Sequence, residues 1–99
     1  MILALSRDVP VGYAYLEIVR RPETGQRHTY EAVFLHHIVV APEARRKGVG
    51  TALLDEVREV GRALGINRLA LDTWSFNEPA KTFFRRYGFV TCSERMWMD

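Results

Sequence analysis

A short basic segment with two glycines, at residues 45–50, is the part of this 99-residue chain whose residue types and spacing could do chemistry. It reads Arg-Arg-Lys-Gly-Val-Gly, and helical periodicity begins directly after it. The first turn of a helix has free N–H groups and the positive end of the helix dipole, which together attract an anion. Glycine has no Cβ, so a ligand can approach its backbone closely. The segment therefore predicts a cradle for a diphosphate.

The same segment has a simpler interpretation. A basic surface turn that only begins a helix has a similar sequence, because short glycine motifs recur by chance. A Walker-type phosphate loop is excluded, because no Gly-Lys-Ser/Thr ends the run.

Composition limits the class of protein. Ninety-nine residues with 47% hydrophobic content predict one small globular domain. The net charge of +2, with basic residues concentrated at 45–47 and 85–86, favours a small anionic ligand over a nucleic acid. The single cysteine, Cys92, cannot form an internal disulfide, and we expect it to be buried in a reducing, cytoplasmic protein. Neither a membrane span nor a signal-peptide pattern is present, so we expect no membrane partner.

Strands must lead into the cradle. Runs rich in β-branched and aromatic residues predict strands at 1–5, 9–19 and 29–40, the second broken by Pro10 and Gly12. Short connections between them predict an antiparallel meander.

A helix must follow the cradle. An apolar stripe of Leu53, Val57, Val60 and Leu64 predicts a helix over 51–64. A strand at 67–74 comes next, and a strand–helix–strand unit predicts a right-handed crossover between parallel strands.

The last part of the chain predicts a second helix and a closing strand. Asn77 is a good N-cap for a helix over 77–87, and residues 89–98 have the composition of a strand. The predicted order is β-β-β-α-β-α-β, an α/β fold with a mixed, mostly antiparallel sheet.

Two motifs in this order resemble those of the GNAT family, the GCN5-related N-acetyltransferases. Residues 45–50 match the family's R/Q-x-x-G-x-G/A signature. Residues 77–89 resemble its later motif, with an Asn, an Ala three residues on, an aromatic pair and a terminal Gly-Phe. The chain is therefore identified as a single GNAT domain over residues 1–99.

The resemblance implies acetyl-CoA as co-substrate, no metal, and direct attack by a primary amine in a ternary complex. It assigns the pantetheine arm to the main chain of 38–40 and to Asn77, the pyrophosphate to the amides of 46–51, and the thiol end to residues 80–84. The implied coenzyme-binding residues are Ile38, Val39, Val40, Arg45, Arg46, Lys47, Gly48, Val49, Gly50, Thr51, Asn77, Ala80, Phe83 and Phe84.

The catalytic groups are expected on the strand before the cradle. An alkyl amine with a pKa near ~10.4 must lose a proton before it attacks, so a base is useful. The candidates are His36, His37 and Glu31. Neighbouring strand residues point to opposite faces, so at most one histidine faces the site unless a bulge intervenes. By resemblance we favour His36 as the base, and we expect the Ile38 N–H to meet the oxyanion.

The chain departs from the family pattern in two places. Phe84 stands where many members carry a tyrosine often assigned as general acid, and Tyr87, on roughly the same helix face, could substitute. The family usually has another strand and one or two helices before this region, so the resemblance implies an N-terminally shortened fold. Either a partner subunit or residues upstream of Met1 would then wall the acceptor site, and we expect a homodimer.

The sequence does not identify the acceptor and allows two other functions. A small molecule or a peptide could supply the amine, and polyamines, aminoglycosides, amino acids and protein N-termini all fit. The main alternative function is a CoA- or acyl-CoA-binding module with an incomplete acceptor site. A basic nucleic-acid-binding module is a more distant third and would bind with a steep dependence on salt.

Overall fold

A computed structural model describes residues 1–22, 29–73, 77–92, 96 and 98–99. The sequence predicts a hairpin loop over 20–28, around Pro22 and Gly25. Residues 20–22 instead continue the second strand, and residues 23–28 lie outside the described residues. The elements in chain order are β1 (Ile2–Ser6), β2 (Val9–Pro22), β3 (Thr29–Val40), a 3₁₀ turn (Pro42–Ala44), α1 (Val49–Ala63), β4 (Leu69–Leu71) and α2 (Glu78–Tyr87).

The four strands form one mixed sheet in the order β1-β2-β3-β4. The pairs β1–β2 and β2–β3 are antiparallel, whereas β3 and β4 are parallel. The mostly antiparallel mixed sheet and the parallel connection through α1 are therefore confirmed.

Strand β2 is longer and more continuous than predicted. Ala4 pairs with Gly12 and Leu5 with Pro10, which leaves Val11 as an extra residue opposite β1. A β-bulge of this kind accommodates proline and glycine near a sheet edge without ending the strand. The prediction that Pro10 and Gly12 break β2 was therefore wrong.

Helix α1 packs on one face of the sheet. Its buried residues are Leu53, Leu54, Val57 and Gly61, while Leu64 is exposed. The predicted stripe correctly included Leu53 and Val57, but the buried face is centred nearer Leu54 and Gly61, and Leu64 is the C-cap residue beyond the helix. Strands β2 and β3 supply the opposite side of this core through Ala14, Val33 and Leu35.

The predicted closing strand is not found in the described residues of 89–98. After α2, the Phe89 N–H donates to the Phe84 carbonyl, and Val90 and Cys92 are exposed. Strand β4 has only three residues, so it offers little edge on which another strand could form. The expectation of a buried Cys92 was wrong for the same reason. No helix within the described residues is long and apolar enough to cross a membrane.

Gly61 lets α1 approach the sheet closely. A Cβ at this position would lie 2.8 Å from the Ile66 carbonyl oxygen and 2.8 Å from Val33 Cγ2. The glycine costs about 1 kcal/mol of helix propensity relative to alanine. The close contact explains why a glycine nevertheless stands in the middle of this helix.

We expect Gly61→Ala to lower the free energy of unfolding, although alanine is the better helix former. Overpacking typically costs about 1–3 kcal/mol, which exceeds the propensity gain of about 1 kcal/mol. Chemical denaturation measures the change. Glu56→Ala, at an exposed position of α1, is the control and should change stability by less than about 0.5 kcal/mol. A Gly61→Ala variant more stable than the parent would contradict the close approach.

Candidate functional site

Hydrogen bonds to the end of β3 and two residues with positive φ shape the turn between β3 and α1. The Ala44 N–H donates to the Ala41 carbonyl at 2.9 Å, and the buried Ala44 side chain anchors the turn. Arg45 Nε donates back to the Val40 carbonyl at 3.3 Å. Arg46 then takes a positive φ of 64° and Gly48 one of 80°, so the backbone reverses sharply before the helix begins.

The N-terminus of α1 has no side-chain cap. Its N-cap residue is Gly48, and among the described residues no side chain accepts a hydrogen bond there. The first intrahelical bond of this end runs from the Ala52 N–H to the Gly48 carbonyl. Residues 45–48 form a turn, and within the described part of the chain no close backbone hydrogen bond is found from the N–H groups of 46–51. These amides, at the positive end of the helix dipole and beside exposed Arg45, Arg46 and Lys47, fit a bound anion.

Glycine is needed at the two positions of this segment for different structural reasons. A Cβ on Gly48 would meet nothing within 4 Å, so the space above this backbone is open, and the left-handed conformation itself favours glycine. A Cβ on Gly50 would lie 3.0 Å from Cζ of Phe83. Gly48 therefore gives access to the backbone amides, and Gly50 gives α2 a place to pack on α1. The sequence did not distinguish these roles.

Strand β3 has an open edge beside this turn. Strand β4 pairs only with Val33, Phe34 and Leu35, and within the described residues nothing pairs with 36–40 on that side. The Ala41 N–H donates to the Val11 carbonyl of β2 at 2.7 Å. Because successive N–H groups of a strand alternate in direction, those of Ile38 and Val40 point away from β2, to the open edge.

A β-bulge at His36 decides which way the two histidines face. Tyr15 pairs with His37 and Leu16 with Leu35, so His36 is the extra residue of β3. Leu35 is buried before the bulge, and Ile38 packs against the same core after it. Both histidines therefore lie on the sheet face opposite α1, where the Tyr15 ring is 5.6 Å from the ring of His36 and 6.3 Å from that of His37.

The other two candidate catalytic side chains have different surroundings. Glu31 lies five residues before His36 on β3, roughly 16 Å along a strand. The Tyr87 hydroxyl donates to Asp55 Oδ1 of α1 at 2.7 Å, and the Arg58 guanidinium lies 5.9 Å from the centre of its ring. Burial and the hydrogen bond to Asp55 raise the pKa of Tyr87 above its ordinary value. Tyr87 of α2 therefore links this helix to α1 through Asp55. Its role as a general acid stays a prediction.

Helix α2 brings the second motif to the N-terminal half of α1. Asn77 caps α2 as predicted, since its Oδ1 accepts a hydrogen bond from the Ala80 N–H at 3.3 Å. The Phe83 and Phe84 rings contact each other with centroids 5.3 Å apart. Phe83 packs on Gly50, so the two glycine-containing segments of the sequence meet in space.

The acetyltransferase (GNAT) family profile matches residues 1–89, most of the chain. The chain belongs to the GNAT acetyltransferase family. The GNAT resemblance of the two motifs is thereby confirmed.

Relatives and solved structures agree with this assignment. The chain is 31% identical over 95 residues to aminoglycoside N(6')-acetyltransferase type 1 of Klebsiella aerogenes, covering 95% of this chain and 61% of that protein. It is 36% identical over 58 residues to streptothricin acetyltransferase of Streptomyces lavendulae, covering 59% and 31%. An aminoglycoside N-acetyltransferase solved in complex with CoA superposes with a TM-score of 0.83 at 26% identity, covering 98% of this chain and 72% of that one.

More distant structures share the GNAT fold. This chain is shorter than the proteins it resembles. A protein from Bacillus halodurans has a TM-score of 0.91 at 21% identity, covering 98% of this chain and 63% of that one. This likeness concerns the fold alone. The chain spans 61% or less of the two curated relatives named above.

We expect Tyr87→Phe to lower the free energy of unfolding by about 1 kcal/mol near neutral pH, because Asp55 loses its donor. The raised pKa of Tyr87 means that its stabilising effect is present below pH 10 and is lost as pH rises through the folded-state pKa. Denaturation at pH 8 and above pH 10 should therefore show a smaller alkaline loss in the variant than in the parent.

Tyr13→Phe is the matched control, since Tyr13 lies on β2 rather than between the helices. It should leave the alkaline loss unchanged. An equal alkaline loss in parent and Tyr87→Phe would contradict the contact with Asp55. A large fall in turnover without a change in stability would instead support the predicted role of Tyr87 as an acid.

Proposed function

We propose that the protein transfers the acetyl group of acetyl-CoA to a primary amine by direct attack in a ternary complex. The observation that carries this proposal is the open edge of β3 at 36–40 beside the uncapped N-terminus of α1. An extended chain with amides fits the first feature, and a diphosphate fits the second. Pantetheine and the pyrophosphate of CoA have these two chemistries in that order.

The coenzyme would be held mainly by main-chain groups. The N–H groups of Ile38 and Val40 would pair with the pantetheine arm, as an added strand does. The amides of 46–51 would hold the pyrophosphate, and Gly48 would leave them accessible. Asn77 would hydrogen-bond the pantetheine with its side-chain amide. The remaining proposed contacts are made by Val39, Arg45, Arg46, Lys47, Val49, Gly50, Thr51, Ala80, Phe83 and Phe84.

The reaction needs a proton acceptor and a site for the oxyanion. His36 would accept the proton of the substrate ammonium, and the nitrogen lone pair would then attack the thioester carbon. The Ile38 N–H, on the open edge, would donate to the oxyanion. A thiol with a pKa near ~8.5 is already a tolerable leaving group. An acid such as Tyr87 would therefore add less than the ~10²–10⁴ typical of general acid–base catalysis.

The acceptor is proposed to be a small molecule with several amino groups. The two curated relatives described above are named for aminoglycosides and streptothricin. The match to the aminoglycoside acetyltransferase includes 95% of this chain. His36 and His37 lie on an exposed sheet face, to which a small soluble amine has ready access.

The same face supports a second candidate function and a proposed homodimer. Leu3, Tyr15 and Val39 have exposed fractions of 56%, 47% and 44%. No described element covers this side of the sheet, so the chain as described could bind CoA without a complete acceptor site. We propose that a second copy covers the face, because exposed apolar surface favours association. A monomer in sedimentation equilibrium at micromolar concentration would contradict this.

Calorimetric titration with acetyl-CoA, followed by thiol release on adding amines, tests the function. Binding with amine-dependent thiol release would support the transferase. Binding without release on a panel of polyamines, aminoglycosides and amino acids would support the CoA-binding module. Absence of binding would contradict both and leave residues 45–50 as a basic surface turn.

Two glycine variants sharpen this experiment. We expect Gly48→Ala to weaken acetyl-CoA binding at least about tenfold, because the new Cβ would stand beside the amides and strain the left-handed backbone. Gly65→Ala is the matched control at the other end of α1. It has a φ of 75° and equally open surroundings, so it should lose similar stability and keep its affinity. Equal affinities in the two variants would contradict the cradle.

A further inference from the structure

A carboxylate–imidazole pair lies outside both sequence motifs. Glu17 Oε1 of β2 is 2.8 Å from His36 Nε2 of β3. The sequence drew attention to His36 but not to Glu17, because nothing in it relates a glutamate nineteen residues earlier to this histidine. The pair is therefore a product of strand register.

The register and the bulge together make this contact. Glu17 pairs with Phe34, so His36 is its diagonal neighbour two residues further along β3. Diagonal neighbours on one face are within reach of long side chains. The bulge keeps His36 on that face, and the Phe34 ring, 4.9 Å from the imidazole, contacts it as well. The centre of the Tyr15 ring lies 5.6 Å from that of the imidazole, with the two ring planes tilted by 51°.

We propose that Glu17 is a positioning residue for His36. The carboxylate accepts a hydrogen bond from Nε2–H, which leaves Nδ1 unprotonated and able to accept a proton. The two neighbouring rings limit rotation of the imidazole, so Nδ1 is held in one direction. This inference rests on the proposed function, in which His36 is the proton acceptor.

The proton balance of the step is complete without another reactant. The substrate ammonium gives one proton to His36 Nδ1, and its nitrogen forms the new bond to the acetyl carbon. As the C–S bond breaks, its electron pair goes to sulfur. The nitrogen loses its second proton, which protonates the thiolate, and the imidazolium returns its proton to solvent. The products are the N-acetyl amine, the thiol and one proton.

The competing explanation is an ordinary surface ion pair. The side chains of Glu17 and His36 are 59% and 36% exposed, and exposed pairs contribute little to stability. A loss of stability would therefore not separate the two explanations. Two other quantities do separate the explanations. They are the tautomer of His36 and the energetic coupling of Glu17 and His36 in kcat.

The first measurement is nitrogen-15 NMR of His36 in the full chain without substrate. We expect the neutral imidazole to carry its proton on Nε2 in the parent protein. In Glu17→Leu, which removes the acceptor, we expect a mixture of both tautomers. An Nδ1–H tautomer in the parent, or the same tautomer population in both proteins, would overturn the proposal.

The second measurement is a double-mutant cycle on kcat with acetyl-CoA and the best amine. We expect Glu17→Leu to lower kcat at least about tenfold, and less than His36→Gln does, which should be about 10²–10⁴. Glu17→Gln keeps an acceptor oxygen and should lie between the parent and Glu17→Leu. In the His36→Gln background, Glu17→Leu should have no further effect. The same loss in both backgrounds would overturn action through His36.

Controls separate this proposal from the function on which it rests. Glu56→Gln removes a carboxylate from exposed α1 and should leave kcat unchanged. The KM for acetyl-CoA should stay constant in the Glu17 variants, since the cradle is not altered. If the parent releases no thiol with any amine, a role for Glu17 in transfer falls with the proposed function. The tautomer measurement still decides whether Glu17 orients His36.

Discussion

The need of backbone N–H groups for hydrogen-bond partners organises this molecule. Strand β3 is paired along its whole length with β2, but on its other side the described residues pair only Val33, Phe34 and Leu35, with β4. The N–H groups of Ile38 and Val40 are thereby left at an open edge, and free strand edges invite association with another extended chain. The turn that follows leads to a second set of amides at the start of α1, which no side chain of the described residues caps. One ligand with an extended arm and a diphosphate would satisfy both sets.

The bulge at His36 lets one strand serve two faces. Val33 and Leu35 face the core before it, and Ile38 and Val40 pack against the same core after it. If the same sequence formed a regular strand without a bulge, strict alternation from Leu35 would turn Ile38 and Val40 away from α1, because a shift of one residue exchanges the two faces of a strand. The bulge also keeps both histidines on the opposite face. The coenzyme side and the proposed acceptor side thus depend on the same irregularity.

Much of the fold and part of the site geometry follow from local sequence. The Asn77 cap, the glycine turn at 48 and the parallel strand–helix–strand unit were predicted because each depends on a few neighbouring residues. The bulge and the Glu17–His36 contact were not, since both depend on the register between β2 and β3. The closing strand was predicted from composition alone, which does not report that β4 stops after three residues.

Helix α1 is held in place by close contacts rather than by a capping side chain. Near its start, Gly50 lies against the Phe83 ring, and near its end, Gly61 lies against β3 and the Ile66 carbonyl. A serine or aspartate at the N-cap would stabilise the helix. Its side-chain oxygen would, however, accept a hydrogen bond from one of the free N–H groups and so occupy it. Glycine at position 48 costs only roughly a few tenths of a kcal/mol relative to such a cap. Packing at both ends therefore fixes the direction of the helix while its first amides stay available to an anion.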